Sequence, residues 1–290
     1  MRANPTEFDL VAPGSLNGVL ELLSKRPGEF LPVAGGTEVM VMMCTGRLQA
    51  RRMVNLWGVQ ELRFIRAEGE GLAIGAGSTF TDIRHNPLIA REFPLLAETA
   101  SWTGSIANQN RGTLGGNIVN ASPAADTPPA LLAYDADVEL TSLRGTRRLP
   151  YRKFHLGYKR TALAADELVT GVHLKRRFTH HFQRVRKVGA RNAQAISKVA
   201  LAMVARIDQG RIAEIALGGA SLYETPLRCV QTEAALLGLV PDAEAIKRAC
   251  AALASEIKPI DDIRSTASYR IRVAQNLLAE FLRELAASTN

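Results

Sequence analysis

Apolar residues recur at helical spacing in several parts of the chain. In residues 16–25, leucine and valine recur every three or four positions, and the Arg-Pro-Gly run at 26–28 ends this predicted helix. The same spacing, with a composition rich in Ala, Leu, Glu and Arg, predicts a long last helix over residues 266–287. Three further helices are predicted over residues 88–102, 231–237 and 242–255.

Shorter apolar or alternating runs predict strands, because they are bounded by glycine-containing turns. The predicted strands cover residues 30–34, 52–56, 62–67, 72–76, 136–142, 147–150, 167–174, 183–189, 196–208 and 212–220. The turns at 68–71 and 209–210 predict two hairpins, of strands 62–67 with 72–76 and 196–208 with 212–220. Strands and helices do not alternate throughout the chain, so we expect an α+β protein and not a doubly wound sheet.

The mix of predicted helices and strands divides the chain into three parts. Residues 1–58 predict a small α/β subdomain, residues 59–177 a β-rich subdomain, and residues 178–290 an antiparallel sheet followed by helices. A length of 290 residues is compatible with this number of small domains.

Composition narrows the class of protein. Hydrophobic residues make up 47% and charged residues 22%, both near globular averages. No apolar run is long enough for a membrane span, and the polar N-terminus lacks the apolar region of a secretory signal. The three cysteines lie far apart, which argues against a disulfide framework or a metal cluster and predicts free thiols in the cytoplasm.

The chain carries a formal net charge of +8. Its basic clusters have no interleaved aromatic residues and no accompanying nucleic-acid motif, so we predict no nucleic-acid binding. An anionic cofactor or a basic docking face explains the charge equally well.

A first candidate site lies where a predicted strand runs into two glycines and then a helix. Its residues are Pro32, Val33, Ala34, Gly35, Gly36, Thr37 and Glu38. Glycines allow backbone amides to approach a phosphate closely, and Thr37 is a plausible N-cap for the helix. The segment could therefore bind a pyrophosphate. It matches neither the G-x-G-x-x-G fingerprint nor the Walker loop, and the alternative is a plain turn.

A second candidate site is the segment 111–129, which is dense in small and polar residues. These include Gly112, Thr113, Gly115, Gly116, Asn117, Asn120 and Ser122. Such a stretch can offer many short donors to one ligand. Asp126 could cap the following helix or accept a hydrogen bond from a ribose hydroxyl.

A third candidate site covers residues 187–198. Lys187 ends a predicted strand, and Arg191 lies in the loop that follows. A positive charge beside a flavin would stabilise the anionic reduced form, whereas the alternative is two solvated surface charges.

Together these motifs resemble one family. Three motifs, AGGTE at 34–38, NRGTLGGNIVNASPAAD at 110–126 and RKVGARNAQAISKV at 186–199, occur in the order found in the FAD-binding (medium) subunits of molybdenum hydroxylases. The family includes the xanthine dehydrogenase, aldehyde oxidoreductase and carbon monoxide dehydrogenase types. A serine- and arginine-containing tail at 264–270 is also similar, so the resemblance spans nearly the whole chain.

The resemblance implies a vanillyl-alcohol-oxidase-like FAD-binding fold with a C-terminal domain of antiparallel sheet and helices. It implies non-covalent FAD and an oxidoreductase subunit that passes electrons from [2Fe–2S] clusters in a small partner subunit to NAD⁺, oxygen or a quinone. Molybdopterin is expected only in a large partner subunit. The chain itself has too few cysteines for such clusters.

The resemblance also implies roles for single residues. The first loop, through Val33 to Glu38, wraps the pyrophosphate, and Thr113, Gly115, Gly116 and Asn117 reach the phosphates and ribityl chain. Asp126 is expected on the adenosine half, Val169 against the adenine, and Lys187 near the isoalloxazine. No catalytic residue and no metal ligand is expected.

The chain departs from the family pattern in three ways. Gly-Gly-Thr-Glu replaces the Gly-Gly-His-Ser sequence that carbon monoxide dehydrogenases tend to have, and no cysteine insertion for an extra cluster is present. No aromatic residue stands at the position where some members stack a ring on the flavin, which leaves Trp102 and Tyr158 as candidates.

Two alternatives remain open on the sequence. A stand-alone flavin-dependent reductase of the same fold class would need its own acid–base residues, for which His85, His155, His173, His180 and His181 are available. A binding module that keeps the fold without the flavin is the second alternative, against which the intact glycine segments argue.

Overall fold

The computed structural model describes residues 4–288, without the side chain of Pro5. Over this range the chain forms fourteen strands: β1 Asp9–Val11, β2 Leu31–Val33, β3 Arg52–Asn55, β4 Ile65–Glu68, β5 Gly71–Gly75, β6 Asp137–Ser142, β7 Gly145–Pro150, β8 His155–Gly157, β9 Arg160–Thr161, β10 Leu168–Lys175, β11 Phe182–Val188, β12 Val199–Asp208, β13 Arg211–Ala220 and β14 Leu227–Arg228.

Eleven α-helices occur in the same range: α1 Leu16–Lys25, α2 Val39–Cys44, α3 Phe80–Arg84, α4 Pro87–Glu92, α5 Pro94–Trp102, α6 Ile106–Gln109, α7 Leu114–Val119, α8 Pro128–Ala133, α9 Val230–Leu236, α10 Ala243–Glu256 and α11 Ala267–Ala287. Short 3₁₀ helices lie at Pro5–Glu7, Gln60–Leu62, Tyr151–Lys153 and Arg176–Phe178. The expected α+β class is confirmed.

The first sheet is small and parallel, in the order β1-β3-β2. Helix α1 packs its buried residues Val19, Leu20 and Leu23 beside this sheet. The Ser15 side chain accepts a hydrogen bond from the Gly18 amide and so caps α1, which has the predicted bounds.

The second sheet is antiparallel, in the order β4-β5-β10-β6-β7. Strands β4 and β5 form the predicted hairpin, and β10 pairs with both β5 and β6 at the centre. The register of β10 against β6 shifts between Val169 and Gly171, so Thr170 forms a bulge whose carbonyl accepts from the Ala76 amide.

The third sheet, β11-β12-β13-β14, is covered on both faces. Alternate residues of a strand point to opposite faces. On β12, Leu201 and Met203 join a core with α10 and α11, while Ala202 and Val204 join a core with α5 and α8. This explains why seven consecutive residues at the start of β12 are buried.

The larger core is shared between two of the three predicted parts. Residues of the second sheet and of α3, α5 and α8 pack there with Val185, Ala202, Val204 and Ala216 of the third sheet. Each larger sheet lies within one predicted range, and the three-part division at residues 58 and 177 stays a proposal. The shared core implies that the last two parts are rigidly coupled.

One predicted helix needs correction. Residues 88–102 form two helices, α4 and α5, because Pro94 lacks an amide and Phe93 before it leaves the helical conformation. The small-residue segment 104–129 contains α6, α7 and the start of α8, and it buries Leu114 and Ile118.

No helix within residues 4–288 is long and apolar enough to cross a membrane.

We predict that Gly218→Ala lowers the free energy of unfolding by about 2 kcal/mol, because a new Cβ would overlap the Pro129 carbonyl oxygen where α8 packs on β13. Gly58→Ala is the control, since a Cβ there meets no atom within 4 Å. Urea denaturation followed by circular dichroism measures both variants. Equal stability of the two would contradict the close packing of α8 on β13.

Candidate functional site

The first glycine loop leaves β2 and enters α2. Helix α2 starts at Val39 with Glu38 in the N-cap position, and no side chain caps it, so the predicted Thr37 cap is wrong. Gly36 has a φ of 77°, a conformation that favours glycine. The amides of residues 35–38 donate to no acceptor within residues 4–288. Four consecutive amides without a protein acceptor are donors that an anion could use.

This loop lies directly against the second glycine segment. A Cβ at Gly35 would overlap the Arg111 carbonyl oxygen, so only glycine permits the approach. The Arg111 Nε also donates to the Gly35 carbonyl oxygen at 3.4 Å, so the backbone of each loop contacts a residue of the other. Residues that are 76 positions apart in sequence therefore line one site.

An aromatic stack fixes Arg111. Its guanidinium carbon lies 3.7 Å from the centre of the Trp57 ring, and the Arg63 guanidinium lies 4.8 Å from the same ring centre. Cation–π contacts of this kind restrict a side chain that would otherwise be mobile at the surface. No local sequence pattern predicts this stack, because Trp57 and Arg111 are distant in the chain.

The second glycine segment builds helix α7 rather than a row of free amides. The Thr113 hydroxyl accepts from the Gly116 amide at 3.1 Å and caps α7. The amides of Leu114 and Gly115 donate to the carbonyl oxygens of Ser78 and Ala76. A Cβ at Gly115 would lie 2.6 Å from the Ala76 Cβ, so this glycine serves close packing.

Most of the backbone amides that were expected to reach the phosphates are already paired within the protein. The amides of Gly115, Gly116 and Asn117 already donate to protein oxygens. The backbone amide of Thr113 has no acceptor among the described residues. The side-chain NH₂ of Asn117 also has none there, while its side-chain oxygen accepts from the Thr127 hydroxyl at 2.6 Å. Thr113 and Asn117 thus keep donors for a ligand, and contact of all four residues with FAD stays a prediction.

A buried ion pair lies beside this segment. The Lys187 Nζ is 2.7 Å from the Asp126 Oδ2, and each side chain is about one-tenth exposed. Lys187 also donates to the Trp102 carbonyl oxygen at 3.2 Å, and the Ser197 hydroxyl donates to the Asp126 Oδ1 at 2.7 Å. Asp126 therefore does not cap α8, whose N-cap residue is Thr127 and has no side-chain bond to the helix amides.

Burial has the largest effect on the Asp126 carboxyl and raises its pKa above the ordinary value. The Lys187 ammonium and the Ser197 hydroxyl oppose this rise. The pair is thus a buried polar centre whose charge state depends on both partners.

The pairing changes how the two residues can meet a ligand. The resemblance assigns Asp126 to the adenosine half of FAD and Lys187 to the isoalloxazine, yet these side chains touch each other. If both contact FAD, they contact the same part of it. Of the two aromatic candidates, Trp102 contacts the pair through its carbonyl oxygen, which accepts from Lys187. Tyr158 is 63% exposed in the β8–β9 turn.

Val169 lies on the central strand β10 and is 6% exposed within the larger core. Its predicted contact with the adenine remains a prediction. Arg191 is bound within its own loop, donating to the carbonyl oxygens of Ala193 and Gln194.

Sequence reasoning missed Lys159. Its Nζ donates to the carbonyl oxygen and the side-chain oxygen of Asn120, at 2.6 and 2.8 Å, at the end of α7. Burial lowers the Lys159 pKa, and the nearby Glu38 carboxylate opposes this. Lys159 therefore ties the β8–β9 turn to the site, and nothing in the local sequence distinguishes it from other surface lysines.

Within residues 4–288, no three His, Cys, Asp or Glu side chains are grouped so that they could hold a metal ion.

We predict that Lys187→Met lowers the free energy of unfolding by about 3 kcal/mol at pH 7, because a buried carboxylate loses its partner. The Asp126 pKa then rises further above its value in the unfolded chain, so the folded state holds that proton more tightly. The deficit relative to the unmodified protein should shrink as the pH falls from 7 towards the ordinary carboxyl range.

Denaturation at several pH values measures this deficit. The double variant Lys187→Met/Asp126→Asn is the control, and it should recover part of the stability and lose the pH dependence. A deficit that grows towards low pH would contradict the assignment of the buried carboxylate.

Comparison with known proteins agrees with this geometry. Residues 6–174 match the family described as the FAD binding domain in molybdopterin dehydrogenase, and residues 184–285 match the CO dehydrogenase flavoprotein C-terminal domain. A nicotinate dehydrogenase FAD-subunit of Eubacterium barkeri is 32% identical over 239 residues, which are 80% of each chain. A putative xanthine dehydrogenase FAD-binding subunit of Escherichia coli K12 is 28% identical and covers 94% of each chain.

The fold comparison covers nearly the whole molecule. A chain of carbon monoxide dehydrogenase from Hydrogenophaga pseudoflava superposes with a TM-score of 0.93 at 28% identity, covering 98% of this chain and 99% of that one. The expected fold and the expected oxidoreductase class are thereby confirmed. The chain belongs to the family of FAD-binding subunits of molybdopterin dehydrogenases.

Proposed function

We propose that this chain holds FAD as the electron-transfer subunit of a molybdenum hydroxylase complex. The observation that carries the proposal is the first glycine loop, with four unpaired amides beside the Arg111 backbone. Such a loop fits the diphosphate of FAD, because consecutive amides can donate to its oxygens at close range. Thr113 and Asn117 add one further donor each.

The protein's own residues hold and tune the cofactor. Bound FAD supplies the ability to take up electrons singly and release them as a pair. Lys187 contributes a positive charge, and Asp126 largely cancels it at a distance of 2.7 Å. The net effect on the flavin depends on which of the two side chains lies nearer to the ring.

The partners follow from what this chain lacks. Its three cysteines are too few for two [2Fe–2S] clusters, and the described residues contain no metal-ligand group. We infer a small partner subunit that delivers electrons through such clusters and a large partner subunit with molybdopterin that oxidises the substrate. The FAD held by this chain would serve as the donor to the final acceptor, which we propose to be NAD⁺, oxygen or a quinone.

The rival of a stand-alone reductase finds little support in the histidines. His155 is bonded to Tyr151, His173 to Glu139, and His181 lies 3.4 Å from Glu214. None of these partners belongs to the glycine loops, so the contacts of the three imidazoles do not place them at the proposed cofactor site. Recovery of the chain from its native source as a lone species that oxidises substrate by itself would favour the rival over a complex.

Gly35→Ala is predicted to weaken FAD binding at least tenfold, because the added Cβ forces the first loop away from Arg111. Titration of the apoprotein with FAD, followed by quenching of flavin fluorescence, measures the dissociation constant. Gly58→Ala is the control, since it adds the same methyl group in open space. Unchanged affinity in Gly35→Ala would refute the glycine-loop site.

Charge changes at the buried pair are predicted to shift the flavin midpoint potential in opposite directions. Lys187→Met should lower the potential and Asp126→Asn should raise it, each by about 30 mV, which is ~1.4 kcal/mol for a two-electron couple. The physical reason is that a nearby positive charge stabilises the reduced anion. Spectroelectrochemical titration measures both, and shifts of equal sign would show that the pair does not act on the flavin through charge.

A further inference from the structure

Asp126 does not stand alone, because a chain of buried hydrogen bonds leads away from it. Its Oδ1 accepts from the Ser197 hydroxyl at 2.7 Å, and the Ser197 carbonyl oxygen accepts from the Ser221 hydroxyl at 2.7 Å. Ser197 is fully buried and Ser221 is 8% exposed. Buried bonds of this kind hold their groups in one arrangement, since an unpaired group would lose solvation.

Ser221 also grips the segment that carries Asp126. Its amide donates to the Pro123 carbonyl oxygen at 2.7 Å, three residues before Asp126. Ser221 therefore contacts both segments that meet at the buried pair, which are residues 122–126 and the end of the loop 189–197.

The backbone of Ser221 is in a conformation that serine rarely adopts. Its φ is 62°, in the left-handed region, where a side chain costs free energy. Glycine would fit this conformation without strain. A serine kept there at a cost points to a use for its hydroxyl.

A second clamp acts on the same loop. The buried Arg270 donates to the Lys198 carbonyl oxygen and to the Asp262 carboxylate, both at 2.8 Å. Arg270 belongs to the tail motif at 264–270, to which the proposed function assigns no role. The backbone on both sides of the bond between Ser197 and Lys198 is thus held from the C-terminal part of the chain.

We propose that Ser221 is a positioning residue for the cofactor site, which acts through Ser197 on Asp126. This inference rests on the proposed FAD site. Ser221 sets the backbone of Ser197, Ser197 orients the Asp126 carboxylate, and the carboxylate holds Lys187. The hydrogen bonds of Ser221 reach Ser197 and Pro123, so its effect on Asp126 is indirect.

Two substitutions separate the hydroxyl from the backbone strain. Ser221→Gly removes the hydroxyl and relieves the left-handed strain, whereas Ser221→Ala removes the hydroxyl and keeps the strain. We expect the glycine variant to be the more stable of the two. We also expect both to weaken FAD binding by the same factor, about three- to tenfold, as for the loss of one buried hydrogen bond.

A double-mutant cycle tests the route through Ser197. Ser197→Ala alone should weaken FAD binding, and adding Ser221→Gly to it should cause no further loss, because the two residues act in series. Fluorescence titration with FAD gives the affinities, and the visible circular dichroism of the bound flavin reports its orientation. Ser255→Ala is the control, because its hydroxyl donates to a helix carbonyl at 2.8 Å outside this network.

The outcomes are distinct. If the unmodified protein binds no FAD, the proposed function fails. If it binds FAD but Ser221→Gly binds equally well with an unchanged flavin spectrum, the positioning role is refuted. Losses that multiply in the double variant, or affinities of the Gly and Ala variants that follow their stabilities, would also overturn it.

Discussion

The contact between the backbones of Gly35 and Arg111 is the constraint on which the candidate site depends. The segment after β2 and the segment between α6 and α7 approach so closely that no side chain fits between them. The stack of Arg111 on Trp57 and the bonds from Leu114 and Gly115 to the carbonyls of Ser78 and Ala76 hold the approach from both sides. The amides of residues 35–38 in this loop have no acceptor among the described residues and remain available to an anion.

The buried pair of Asp126 and Lys187 depends on the rest of the fold. Helix α8, which follows Asp126, packs against the third sheet, and Lys187 lies on the edge strand β11 of that sheet. Since the larger core extends through both regions, movement of the sheet would separate the two charges at high cost. The C-terminal part of the chain therefore stabilises a site whose glycine loops lie elsewhere.

Much of the fold follows from local sequence. The helices 16–25 and 266–287 and the hairpin of β12 and β13 are well predicted, because periodicity and turn residues act over short distances. The Thr37 cap and the single helix over 88–102 are wrong for local reasons too, since Glu38 takes the cap position and Phe93 precedes a proline. The glycine segments stand out in the sequence as a candidate site. The bond of Lys159 to Asn120 and the pairing of Asp126 with Lys187 join distant residues, so no local pattern predicts them.

The identity of the cofactor that the natively purified protein carries tests the account most directly. The visible absorption spectrum should show flavin bands, and acid treatment should release FAD at about one equivalent per chain, identified by chromatography. Release by acid alone also follows from non-covalent binding. A protein that is colourless as purified and remains colourless after incubation with FAD would contradict the account.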